Sequence, residues 1–214
     1  MSYDFQLFAQ NKNDFNLSGF RLGRVKYSGG GDWYNDPSAD ENILKFLKEN
    51  TNINIKTEYE YVDLSTDEIF KYPMLFMTGH GNINFSVNEA ERLRKYLDAG
   101  GFLYIDDDYG FDEYIRKEMK KVYSDKSFEE LPPNHKIFNI HYNLKNGMPK
   151  THEHDDKPPQ IFALYNNDKI SVIYTYESNP SDGWADPDIH KDPPEKRLEA
   201  LQFGANLIIY ALTR

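Results

Sequence analysis

Three consecutive carboxylates, Asp106, Asp107 and Asp108, are the first residues whose chemistry stands out. Three such groups side by side cannot all stay ionised without cost, so they need a cation, shared protons or water. Placed directly after an apolar run, they suit hard oxygen ligation or general acid and base work. The competing reading is structural, with two of the three capping the next helix and accepting loop N–H groups. Alternation along a strand puts Asp106 and Asp108 on one side and Asp107 on the other.

A second cluster, Thr151-His152-Glu153-His154-Asp155-Asp156, offers a His-x-His pair flanked by acids. His152 and His154 suit a divalent metal if a third ligand arrives from elsewhere, with His80 or one of the three aspartates as candidates. Their spacing matches no specific metalloenzyme signature, and an exposed polar loop is the alternative. His80 stands between Gly79 and Gly81, where backbone N–H groups can face a ligand and the imidazole can serve as acid, base or orienter. Upstream, Ser28-Gly29-Gly30-Gly31-Asp32-Trp33-Tyr34-Asn35-Asp36-Pro37 permits a close approach of the backbone to a ligand. It lacks the Lys-Ser/Thr of a P-loop, and its aspartates would repel a phosphate. Gly30, Gly31, Asp32, Trp33 and Tyr34 are therefore candidates for a polar ligand, together with Tyr109 and Trp184. Glu177 is the acid placed at the end of a later strand.

Elements legible in the sequence must position these groups. Residues 73–110 read as strand, helix, parallel strand. Met74-Leu75-Phe76-Met77 and Phe102-Leu103-Tyr104-Ile105 are apolar without alternation, as in strands covered on both faces. Between them, Ser86 and Glu89 have capping-box spacing, and Ala90, Leu93, Tyr96 and Leu97 share one helical face. Gly100 suits the left-handed residue that ends a helix. Ligands of such sheets bind beyond the carboxyl ends of the strands, which is where the candidates fall.

Elsewhere, residues 20–27 predict a first strand and 38–50 a helix. Residues 53–62 read as a strand near the sheet edge, and Ser65 with Glu68 as a capping box opening a short helix. Residues 112–123 predict a helix with Tyr114, Ile115, Met119 and Val122 inward. Residues 124–159 lose regular pattern, 161–165 and 170–176 form a hairpin, and 178–194 a second loop. A closing helix over 195–212 should pack Leu198, Leu201, Ala205 and Ile208 on the sheet. Residues 1–19 are expected to form an arm and 20–214 one domain.

A formal net charge of -10 argues against a nucleic-acid binder, which needs a basic footprint. The chain has no cysteine, which excludes thiolate nucleophiles and disulfides. No stretch is apolar for long enough to span a bilayer, and the start lacks the pattern of a signal peptide. As given, the chain reads as cytoplasmic; one relieved of a leader would read as periplasmic or exported. Nothing in the sequence decides the oligomeric state.

Gly29 to Asp36, Thr78-Gly79-His80-Gly81, Gly100 to Gly110, His152-Glu153-His154 and Asp192-Pro193-Pro194-Glu195-Lys196-Arg197 together resemble the bacterial family called domain of unknown function 4159. The resemblance implies a class I glutamine-amidotransferase-like fold with trehalose-utilisation-type relatives. That is an α/β, flavodoxin-like three-layer sandwich with a mostly parallel central sheet, a C-terminal β-hairpin and a helix. It also implies that residues 106–110 occupy the turn that carries the glutaminase cysteine, and Tyr176-Glu177 the last-strand position. Without a cysteine no thioester can form, so glutaminase activity is not implied. The expectation is a domain that binds, and in one version hydrolyses, a small polar ligand of carbohydrate type. His80, Asp106, Asp107, Asp108 and Glu177 would be its reactive groups. A non-catalytic interaction or sensor domain is the alternative. A divalent metal is the only cofactor the residues raise.

Overall fold

The computed structural model describes residues 19–152 and 154–214. The arm expected over residues 1–19 thus lies, but for Gly19, outside the described residues, as does Glu153. The chain folds as β1 (Leu22–Lys26), α1 (Ala39–Asn50), β2 (Glu60–Asp63), β3 (Met74–His80), α2 (Val87–Asp98), β4 (Phe102–Tyr109), α3 (Asp112–Val122), β5 (Glu129–Glu130), β6 (Gln160–Asn166), β7 (Lys169–Tyr176), α4 (Pro187–His190) and α5 (Pro194–Thr213). Seven strands make one mixed sheet in the order β2-β1-β3-β4-β7-β6-β5. The first five run parallel, and β6 and β5 are added antiparallel.

Each face of the sheet carries its own apolar core. Met74, Phe76, Phe102 and Tyr104 pack with Ile43, Leu44 and Leu47 of α1 and with Phe203, Leu207 and Ile208 of α5. Their neighbours Leu75, Met77, Leu103 and Ile105 pack with Leu93, Tyr96 and Leu97 of α2 and Ile115 and Met119 of α3. The continuous apolar runs of β3 and β4 are thus strands buried on both faces. No described helix is long and apolar enough to cross a membrane.

Several local expectations change. Both central strands run on past their apolar stretch: β3 takes in Thr78, Gly79 and His80, and β4 takes in all three aspartates. The Ser86–Glu89 capping box forms. The one expected at Ser65–Glu68 does not, because Asp63 Oδ1 accepts the Ser65 N–H and a 3-10 turn begins at Asp67. Of the second strand expected over 53–62, only Glu60, Tyr61 and Val62 lie in a strand, which runs on to Asp63, while Ile55 makes an isolated bridge to Phe20. Tyr114 is only partly buried, and Glu118 takes an inward place, accepting the Phe85 N–H at 2.5 Å. Leu198 lies outside the α5 stripe at 47% exposure.

Candidate functional site

Six chain segments meet beyond the carboxyl ends of the parallel strands. The loop after β1 brings Asp32, Asn35 and Asp36; the ends of β3 and β4 bring His80 and Asp108. The loop after β7 brings Asn179 and Asp182, the segment before β6 brings His152 and His154, and the end of α4 brings His190 and Asp192.

His80 is held through both its backbone and its ring. Its backbone N–H donates to Asp32 Oδ1 at 2.6 Å, and its Nδ1 lies 2.9 Å from Asp32 Oδ2 and 3.1 Å from Asp108 Oδ2. Pairing between β3 and β4 supplies the geometry: Gly79 faces Asp107 and His80 faces Tyr109, so Asp108 is the extra residue of a bulge. Bulges re-aim side chains in this way beside functional sites. Asp108 is buried and accepts from Asn35 Nδ2 and from Asn179 Nδ2, the latter at 2.7 Å. Burial, then the nearby Asp182 charge, pushes the Asp108 carboxyl up to about 7, against the pull of His80. Burial lowers the His80 pKa, but Asp108 and Asp32 outweigh it and the net shift is upward.

Gly79 makes this arrangement fit. Its φ is +141°, and a Cβ there would stand 2.3 Å from Tyr27 Oη and 3.0 Å from Asp32 Oδ1. Gly79→Ala is expected to destabilise the fold by about 1–3 kcal/mol through backbone strain and steric conflict. It should also detach Asp32 from His80. Thermal melting measures the first effect, and the imidazole shifts of His80 by NMR measure the second; an unchanged His80 titration would refute the clamp.

The three aspartates separate as alternation requires. Asp107 turns to the opposite side from His80, where its oxygens accept the Phe111 and Asp112 N–H groups at 2.9 and 3.1 Å and the Tyr174 hydroxyl. It caps α3 and holds no place beside the imidazole. Asp106 shares the Asp108 side but lies beneath it, fully buried, accepting the Ser181 N–H at 2.8 Å and meeting Thr175 Oγ1 at 2.5 Å. Its role here is to fasten the loop that carries Asp182.

Other candidates sort as follows. Glu177 is buried, accepts the Asp155 N–H at 3.2 Å, and lines a separate cleft of about 300 Å³ with Asp107, Tyr109, His154 and Tyr176. Tyr109, itself exposed, stacks on His154 at 4.9 Å between centroids. His154 is held through Nε2 by Asn179 Oδ1 at 2.7 Å and so does not pair with His152 as a ligand set. Trp184 belongs to the core, 1% exposed, donating to the Ala200 carbonyl and packed on Phe76 and Tyr104. A tryptophan so enclosed cannot line a cleft. Trp33 is half-buried, packed against the core on the α2 and α3 face and edge-on to both Tyr34 and Tyr61. Gly31 abuts the carbonyls of His80 and Asn82, Gly30 is exposed, and Gly81 donates its N–H to the Tyr109 carbonyl.

Sequence reading missed six partners: Asn35, Asp36, Asn179, Asp182, His190 and Asp192. His152 Nδ1 lies 2.6 Å from Asp182 Oδ2, and His190 Nε2 lies 2.9 Å from Asp36 Oδ1. One ligand atom from each of His152, Asp182 and His190 falls within 4.8 Å of the others, and the same holds for Asp36, Asp108 and Asp182. The signal available was a second proline-rich loop bearing an acid and a histidine, with no local spacing to tie it to the first.

Compared with known families, residues 21–212 match the profile described as Domain of unknown function (DUF4159). No curated protein matches the chain.

Proposed function

Because the chain belongs to the DUF4159 family, whose description assigns no activity, we propose from the cluster of groups around His80 that it binds and hydrolyses a polar ligand of carbohydrate type. The observation that carries the reading is the setting of His80. Its Nδ1 is held by two carboxylates while its side chain is 53% exposed, which leaves Nε2 as the nitrogen that meets a ligand. A carboxylate-oriented imidazole of this kind takes a proton from water or returns one to a leaving oxygen. The exposed rings of Tyr34 and Tyr61, with Trp33 between them, form a rim on which an apolar sugar face can stack.

The strand order β2-β1-β3-β4-β7 supports a flavodoxin-like, three-layer frame of the class I glutamine-amidotransferase-like kind, with the cleft beyond its strand ends. The chemistry of that class is not carried over. No cysteine exists to form a thioester, and residues 106–110 hold carboxylates where the nucleophile would stand.

A panel of mono- and oligosaccharides tests the proposal by melting temperature and by release of reducing ends. Ligand sugars should raise the melting temperature of wild type, and Trp33→Ala should remove the rise. His80→Gln should keep the rise and lower turnover by about 10²–10⁴-fold. If no sugar shifts the melting temperature and none is cleaved, the proposal fails. A shift without turnover would replace the hydrolase by a sensor.

A further inference from the structure

We infer that His152, Asp182 and His190 form a binding site for one divalent first-row transition-metal ion at the edge of the His80 cleft. Three observations converge on it. First, the two imidazoles point the same nitrogen at one carboxylate: His152 Nδ1 and His190 Nδ1 lie 2.6 and 3.8 Å from Asp182 Oδ2. A tetrahedral ion with bonds of roughly 2.0–2.1 Å needs its ligand atoms about 3.3 Å apart, a value these separations bracket.

Second, each ring is anchored from behind by a different carboxylate. His190 Nε2 meets Asp36 at 2.9 Å, and His152 Nε2 faces Asp192 Oδ1 at 3.4 Å. Metal-bound histidines characteristically donate their other ring N–H to a carboxylate, which fixes the tautomer that leaves the ligating nitrogen bare. Third, Asp182 is 3% exposed, and while its Oδ2 faces both imidazoles and accepts from Asn179 Nδ2, its other oxygen, Oδ1, finds no hydrogen-bond partner among the described residues, so an ion held through both oxygens would satisfy it. A buried carboxylate oxygen without a donor is costly, and a cation removes that cost.

The ligand types also select the ion. Two imidazoles and a carboxylate suit zinc, iron(II) or cobalt(II), whereas magnesium and calcium favour an all-oxygen shell. Three protein ligands leave a position open for water or substrate, as in catalytic sites. Asp182 also falls in the group with Asp36 and Asp108, so this position borders the carboxylates around His80.

The inference deepens the hydrolytic reading of the cleft and rests on that reading for the role of the ion. Binding itself is measured without any sugar, so the two can fail separately. Metal-free protein is titrated with cobalt(II) and zinc, following the cobalt d–d spectrum and the melting temperature. Wild type should bind one equivalent, and magnesium at the same concentration should give no shift. His152→Ala and His190→Ala should abolish the spectrum, and Asp192→Asn should weaken binding about 10–100-fold while leaving all three ligands in place. His141→Gln, which changes an exposed histidine outside the cleft, should bind as wild type does. Absence of binding by wild type overturns the site, as does binding that survives in His152→Ala and His190→Ala. Should those two variants fail to fold, undiminished affinity in Asp192→Asn overturns it instead.

Discussion

Asp40→Ala is expected to lower the free energy of unfolding by about 3–5 kcal/mol, the loss typical of breaking one side of a buried ion pair. Asp40 and Arg24 meet at 2.7 Å with both side chains 1% exposed. Burial raises the Asp40 pKa despite the guanidinium beside it, and Asp40 Oδ1 has no hydrogen-bond partner among the described residues. The pair therefore adds little net stability, yet either member left alone is a buried charge. Arg24 has a further task. Its Nε donates to the Trp33 carbonyl at 3.0 Å, and its Nη2 donates to the Asn35 carbonyl and Oδ1 at 3.1 and 2.7 Å. It thereby fixes the loop that brings Asp32, Asn35 and Asp36 to the cleft.

The double variant Arg24→Met with Asp40→Leu separates these tasks. It should recover most of the lost stability, because no unpaired charge stays buried. It should nevertheless free the 32–36 loop and weaken the hold of Asp32 on His80. Urea unfolding of both variants with the His80 NMR titration reads both effects. A double variant as unstable as Asp40→Ala would show that packing, not the stranded charge, sets the loss.

Asp106→Asn should remove the largest share of a fall in stability that wild type shows as pH rises from about 4 to about 8, leaving the smaller shares of Asp107 and Asp108. Burial is the main cause pushing the Asp106 carboxyl up to about 8, against the opposing hydrogen bonds from Ser181 and Thr175. Well below pH 4, the group is protonated in both folded and unfolded chains. Between about 4 and 8 only the folded chain keeps the proton, so the folded state binds more protons and stability falls as pH rises. Above 8 the carboxylate is ionised in both states and the full burial cost applies, on the order of 5 kcal/mol for a shift of this size. Asparagine can keep both contacts, accepting from the Ser181 N–H and donating to Thr175 Oγ1, with no charge to bury. The variant should match wild type near pH 3 and exceed it by several kcal/mol near pH 9. Parallel urea-unfolding curves at the two pH values would disprove this account of Asp106.

The parts of this molecule governed by local rules were legible in its residues. The Ser86–Glu89 cap, the stripe of Ala90, Leu93, Tyr96 and Leu97, and the two continuous apolar strands follow from periods of a few residues, and each appears in the fold. The split between Asp107 and its two neighbours also follows from strand alternation. The extent of β4 was harder to read, because its last residues are carboxylates and look like loop. They stay in the strand because Asp106 pairs in register with Thr78 and Thr175, partners distant in sequence.

The sequence by itself therefore determined α1, α2, α3 and α5, the buried strands and the end of the sheet where polar groups collect, since each depends on neighbours a few positions apart, whereas α4 lies in a stretch that read as loop. Tertiary structure alone decided which polar groups meet. Asp36 reaches His190, and Asp182 reaches His152, across long separations in the chain, through loops that no repeating pattern governs. It alone also enclosed Trp184 and buried Arg24, because enclosure depends on what α1 and α5 bring over the sheet rather than on the residue's own type.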